Sequence, residues 1–216
     1  MHLLKNNIKV LLCGVLIVSL QGCATTAVDF KKNLQDSQVC CNKLADIDYK
    51  QLEYDKKLHT NVGAKKSPVR TFKEGKSFFV PVKLPAYTGP YEIQVESKPV
   101  KNQLFVPKIV LLDKNYNIRK QIPANKFQFS NGLARYKFFL NKDEGYRYLI
   151  LHTSPSDIGK KGLSQTTSTQ LIPIIAGPYI FYYTNASESK NIITSAEGGK
   201  VDITAIPYKP KTIGKM

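Results

Sequence analysis

Tyr91-Glu92-Ile93-Gln94-Val95-Glu96 alternates apolar and polar side chains without a break. Successive side chains of a strand point to opposite faces, so Tyr91, Ile93 and Val95 share one face and the polar residues share the other. This is the pattern of a strand with one packed and one wet face. Residues 201–206 repeat it, with Val201, Ile203 and Ala205 set against Asp202 and Thr204. Working outward, short runs rich in apolar, β-branched and aromatic residues recur at 69–72, 77–84, 104–112, 117–121, 126–129, 133–140, 146–152 and 179–183. Gly, Pro, Asn, Asp and Lys punctuate them, as in an all-β chain. Ten such runs predict an antiparallel two-sheet β-sandwich with a short N-terminal tether. Lys73-Glu74-Gly75-Lys76 and Asp113-Lys114-Asn115-Tyr116 each stand between two runs and read as hairpin turns. Residues 154–169 carry Gly159, Gly162 and a Ser/Thr/Gln cluster and read as a long loop, a length usually tied to function or to disorder.

Upstream of the sandwich the pattern weakens. Leu44, Ile47, Tyr49, Leu52 and Tyr54 follow neither a 3.6-residue nor a 2-residue period, and read as a segment that docks on the domain. Residues 24–37 are polar enough for a tether with a helical turn. Further upstream, Lys5 and Lys9 precede an eleven-residue apolar run at 10–20, which suits a secretory signal and is too short to span a membrane. The run ends in Leu20-Gln21-Gly22-Cys23, which resembles a bacterial lipobox. That resemblance implies cleavage before Cys23 and acylation of it, on sulfur and on the new N-terminus. Two or three acyl chains hold a protein at a membrane far more firmly than one, at about 0.8 kcal/mol per buried methylene. Ala24 stands where inner-membrane retention signals carry Asp, so the resemblance implies the outer membrane, on its periplasmic side. The chain therefore divides into a signal peptide (1–22), a lipid-anchored tether and docking segment (23–58), a β-sandwich domain (59–208) and a basic tail (209–216).

The chain has 216 residues, a length that leaves one ordinary domain plus a tether after cleavage. A core of about 150 residues buries roughly two thirds of its unfolded surface, so no disulfide or metal is needed for stability. The whole chain carries +16, and cleavage removes only Lys5 and Lys9, leaving +14. Residues 23–58 are balanced, so the excess lies in residues 59–216, most densely at 98–147. A field of that sign attracts anionic lipid heads or wall polymers. Nucleic acid is not an expected partner of an exported protein. A solvated basic surface with no specific partner accounts for the same charge.

Besides Cys13 and Cys23, the cysteines are Cys40 and Cys41, side by side. Adjacent α-carbons sit closer than the usual disulfide window, while an oxidising compartment disfavours free exposed thiols. A vicinal disulfide, an intermolecular bridge and two buried thiols all remain open, each a structural or redox role. Two sulfurs without a neighbouring His supply half a tetrahedral site, so no metal is expected.

No HExxH, GxSxG or phosphate loop occurs. His152, Ser154, Ser156 and Asp157 lie too close in sequence to converge as nucleophile, base and orienter, and read as a strand end followed by a turn. Glu92 and Glu96 share a strand face about 13 Å apart, beyond glycosidase spacing. A non-catalytic protein without cofactor is expected. For binding, Tyr87 flanks Thr88-Gly89-Pro90, and residues 177–185 form the richest aromatic stretch. Alternation puts Tyr179, Phe181 and Tyr183 on a core face and Tyr182 on the other, beside Asn185. Tyr87, Tyr182 and Asn185 are the candidate ligand contacts, since aromatic faces receive sugar rings and amides fix hydroxyls.

Ser67-Pro68-Val69, Gly75-Lys76-Ser77-Phe78-Phe79, Leu84-Pro85, residues 105–113 and residues 146–153 resemble the maltose operon periplasmic protein family, MalM, and most nearly its lipoprotein branch. The Cys40-Cys41 pair is similar to one near the start of such lipoproteins, so the resemblance spans most of residues 40–207. It implies an outer-membrane-anchored periplasmic accessory or binding module associated with maltose- or maltodextrin-like carbohydrate uptake. Its partners would be the membrane through Cys23, and an oligosaccharide, a porin or another envelope protein. The other expectation is an envelope assembly protein whose basic sandwich binds an anionic polymer, lipid or acidic protein.

Overall fold

The computed structural model describes residues 28–141, 144–176 and 179–209, and for residues 163–191 the backbone alone. Cys23 and the acyl-anchor segment lie outside the described residues, as does most of the basic tail. The described residues begin with α1 (Phe30–Asp36), capped by Asp29, whose carboxylate accepts the Lys32 amide hydrogen at 2.9 Å. Fourteen strands follow among the described residues. The first sheet holds β1 (Lys50–Gln51), β4 (Gly75–Lys83), β11 (Tyr146–His152), β7 (Lys108–Asp113) and β8 (Ile118–Ile122) in that order, with β3 (Val69–Phe72) paired to β4. The second holds β2 (Lys57–Val62), β14 (Gly199–Pro207), β5 (Tyr91–Lys98), β10 (Leu133–Leu140) and β9 (Gln128–Ser130). A third joins β12 (Lys161–Ala176), β13 (Tyr179–Ala196) and β6 (Gln103–Phe105). Pairing in the two main sheets is antiparallel except for β1 beside β4, so the all-β sandwich expectation holds.

The sheets differ in what covers them. In the first, β4, β7 and β11 are buried on both faces and read as nearly unbroken apolar runs. Val80, Val82, Ile109, Leu111, Leu149 and Leu151 face the sandwich core. On the opposite face Phe79, Val110, Leu112 and Ile150 are covered by Cys41 and Ile47 of the docking segment. Tyr49 fastens this cover, its ring packed 4.5 Å from the Tyr148 ring at a tilt of 43° and its hydroxyl donating to the Leu44 carbonyl at 3.0 Å. Burial, then Tyr116 and Tyr148, pushes the Tyr49 hydroxyl pKa up, so it stays a neutral donor. In the second sheet Ile93, Val95, Val201, Ile203 and Ala205 face the core. Its outer face carries a charge ladder across four strands. His59 Nδ1 lies 2.6 Å from Asp202 Oδ1, Lys98 Nζ 2.6 Å from Asp202 Oδ2, and Arg135 Nε donates to Glu96 Oε2 at 2.6 Å.

Residues 154–169 are not a long loop. A short 3-10 turn at Pro155–Asp157 leads into β12, which pairs with β13 from Lys161↔Thr194 to Ala176↔Tyr179. At about 3.3 Å per residue this hairpin is ~50 Å long. Beyond its partner strand, β13 pairs only at its root, Thr194–Ala196 against β6. Ladder hydrogen bonds replace the turn chemistry that the Gly and Ser content suggested, because each strand satisfies the other's backbone groups whatever the side chains are. Hence joining Leu163 to Ile192 through Asn-Gly in place of residues 164–191 should move the melting midpoint by less than about 4 °C, roughly 1 kcal/mol. Differential scanning calorimetry checks this, and a larger drop would show the arm to be part of the sandwich.

Candidate functional site

A cleft of about 660 Å³ opens where the end of the second sheet meets the root of the long hairpin. Its apolar floor is Leu104, Val106 and Ala124, all buried. One wall is the β9–β10 hairpin. Ser130 pairs with Leu133, leaving Asn131-Gly132 as a two-residue turn, and both turn residues have positive φ, 50° and 74°. Asn-Gly suits such a turn because both residues tolerate the left-handed region. Phe129, paired with the core-facing Ala134, shares the inward face of the sheet on its edge strand, where it overhangs the cleft at 59% exposure. Asn125, from the 3-10 turn Ala124–Lys126, adds an exposed amide.

The opposite wall is held by backbone hydrogen bonds. Gly159 N–H donates to the Ser195 carbonyl at 2.9 Å, and Ser195 N–H to the Lys160 carbonyl at 2.9 Å. Ser195 Oγ accepts from the Lys160 amide at 3.0 Å and donates to the Asp157 carbonyl. Lys160 Nζ pairs with Asp157 Oδ1 at 2.6 Å. The result is an apolar floor, an exposed aromatic edge and a rim of amides, hydroxyls and one ion pair. Such a surface can receive the apolar face of a ring while its rim fixes hydroxyl groups.

Tyr87 is not among the described residues that line the cleft. Tyr87 is half-buried, 6.2 Å from the Tyr91 ring, and its hydroxyl donates to the Asn141 carbonyl at 2.8 Å. Tyr182 and Asn185 lie on β13 in register with Pro173 and Gln170, and their side chains fall outside the described part. Tyr182 is eleven residues from the cleft residue Ile193, about 36 Å along the strand. Cys40 and Cys41 are joined by a disulfide, which selects the vicinal pairing among the three open possibilities. His152 stacks on Phe72 at 3.9 Å, its Nδ1 lies 3.1 Å from the Thr153 carbonyl, and burial lowers its pKa. Ser154 bonds Ser156 at 2.9 Å. Among the described residues no group of three His, Cys, Asp or Glu side chains gathers as a metal site would require. Sequence reasoning missed Phe129, Asn125 and Asn131. The signal that could have found the wall is Asn131-Gly132 between two apolar runs.

Fold and cleft define an all-β sandwich protein with a polar, aromatic-edged cleft beside a long hairpin. Residues 74–163 match the family model described as maltose operon periplasmic protein precursor (MalM), the family that the sequence resembles. The matched stretch takes in the floor and both walls of the cleft up to Gly162. Neither the curated proteins nor the solved structures include a match to this chain.

Proposed function

We propose that this protein is a lipid-anchored, non-catalytic accessory module of the periplasm that binds neutral maltodextrin-like glucans in the cleft overhung by Phe129. The observation that carries the reading is the exposed Phe129 ring above an apolar floor, rimmed by Asn125, Ser130 and Asn131. The family description, which is of a periplasmic protein of the maltose operon, supports the compartment and the substrate class. Leu20-Gln21-Gly22-Cys23 supports acylation at Cys23 and placement on the outer membrane. Presentation of the glucan to a porin or transport complex follows from that position.

Calorimetric titration of the processed protein with linear maltodextrins at low and high salt tests the site. Saturable binding that is insensitive to salt is expected, because the contacts are stacking and neutral hydrogen bonds. Phe129→Ala should weaken it about tenfold with the melting midpoint unchanged, since stacking on an aromatic ring is worth about a kcal/mol and the ring is exposed. Silence at both salt levels would remove the glucan reading. Binding of anionic polymer that falls steeply with salt would replace it with the assembly reading.

A further inference from the structure

A second cleft, of about 600 Å³, lies over the Cys40–Cys41 disulfide, and no described residue lines both clefts. The pair is held rigidly from the sandwich side. Cys40 N–H donates to the Val69 carbonyl at 2.9 Å, while the Arg70 guanidinium donates to the carbonyls of Cys41 at 2.8 Å and Asn42 at 2.7 Å. Cys41 is buried among Ile47, Phe79 and Ile150, whereas Cys40 is exposed. The disulfide therefore presents one side to the core and the other outward. Bonding between neighbours closes an eight-membered ring through the peptide, a small plate of polarisable sulfur and carbon that cannot change shape freely.

Around this plate Asp46 and Asp48 are balanced by Lys50 and Lys66, so on a strongly basic molecule this rim pulls on neither sign of charge. Asn61 supplies an amide, and the lining residue Thr60 has a buried hydroxyl with no hydrogen-bond partner among the described residues. Such a hydroxyl calls for an explanation in a native structure, and a bound polar molecule or water supplies one. A charged ligand would gain nothing over bulk water at this rim. A neutral polyhydroxylated ring would lay its C–H face on the disulfide plate and turn its hydroxyls to the Asp, Lys and Asn side chains.

We propose that the Cys40–Cys41 disulfide is the floor of a second saccharide subsite, taking a neutral sugar ring, and that this site exists only in the oxidised protein. Dithiothreitol transfers two electrons and two protons to the sulfurs, opening the plate to two thiols as the reagent closes to its own cyclic disulfide. The Phe129 cleft contains no cysteine and is untouched by that reaction.

The test is titration of the full processed Phe129→Ala protein with maltotriose, with and without dithiothreitol. One remaining site is expected, weakened about tenfold or more by reduction, because stacking and several hydrogen bonds go together. Cys40→Ser/Cys41→Ser should reproduce the loss. Asn61→Ala, which leaves the cysteines and the fold alone, should weaken binding in the oxidised protein should the double serine variant fail to fold. Maltotriose binding that ignores reduction and Asn61→Ala overturns the proposal, and so does no binding in Phe129→Ala. A wild-type protein with one site, lost on reduction but indifferent to Phe129→Ala, would instead overturn the Phe129 cleft and leave this one standing.

Discussion

Gly198→Ala should destabilise the protein by about 3 kcal/mol and release its N-terminal helix. A β-carbon there would meet Phe30 Cδ1 at 2.3 Å and the Val62 carbonyl oxygen at 2.6 Å. The ring could swing away, but the carbonyl belongs to β2 and moves only with the sheet. The neighbouring Gly63, at φ +85°, meets the same ring edge, with its Cβ position 2.4 Å from Phe30 Cδ1, so the ring is seated on two glycines. Overpacking costs typically 1–3 kcal/mol, and expelling a buried Phe adds about 2 kcal/mol. The ring is 4% exposed, and with it would go the hydrogen bond from Asn33 Nδ2 to the Gly63 carbonyl at 3.2 Å. Urea titration gives the stability, and proteolysis near residues 30–36 gives the release. Phe30→Ala should cost a similar amount alone and, combined with Gly198→Ala, much less than the sum, as residues in contact are non-additive. Additive costs would sink the account. The same geometry places α1 against the turn that ends β13, so α1 and the hairpin root share one end of the domain.

How far the sequence could be read depended on what each side chain was asked to do. The runs at 69–72, 133–140 and 146–152 coincide with β3, β10 and β11 at both ends, because turn residues bound them. The run at 104–112 breaks into β6 and β7 across Val106-Pro107, since a proline has no N–H to give a ladder. Lys73-Glu74 closes β3 onto β4 with Phe72 opposite Gly75, as the punctuation predicted. The turn after β7 is likewise closed by Asp113, whose Oδ1 accepts from the Asn115 and Asn117 amides at 2.8 and 3.0 Å. β12 was illegible for the opposite reason: Ser164-Gln165-Thr166-Thr167-Ser168-Thr169-Gln170 has no apolar face, and only its partner strand makes it a strand. The docking segment begins the sheets earlier than the reading implied, with β1 at Lys50 and β2 at Lys57. Its irregular apolar pattern is that of a cover laid over a finished sheet.

The candidate site was less legible than the fold because a cleft is a property of three distant segments. Aromatic content drew attention to Tyr87 and Tyr182, yet Tyr87 spends its hydroxyl on Asn141 and packs against the core. Phe129 ends the short run at 126–129, where nothing in the pattern separates an exposed ring from a core one, and it lies exposed on the edge strand β9. The basic excess also has a structural outlet. β8, the outer strand of the first sheet, exposes Arg119 and Lys120, and charge on an edge strand blocks pairing with another chain.

Asp202→Asn is expected to cost about 2 kcal/mol at neutral pH and to remove an acid transition from the wild-type protein. Asp202 is only 5% exposed, yet it lies on the outer face of its sheet, under His59, Lys98 and, at 3.9 Å, Lys57. Truncating a buried, paired carboxylate costs 3–5 kcal/mol in general, but here the cations are half-exposed and recover hydration, which discounts the loss. Burial raises the carboxyl pKa, and the attraction of Lys98 and His59 outweighs it and holds the group below its ordinary 3.8. As pH falls, the unfolded chain takes up this proton before the folded one does. The stabilisation is therefore complete above about pH 4 and is lost as pH falls through the folded value. His152 acts at a higher pH with the same sign. Burial lowers its pKa from 6.5, so the unfolded chain binds that proton first, and stability begins to fall below about pH 6.5. Urea midpoints from pH 8 to pH 3 should thus decline in two stages. Asp202→Asn should keep the upper stage and flatten the lower, whereas a lower stage unchanged in the variant would assign that transition to other carboxylates.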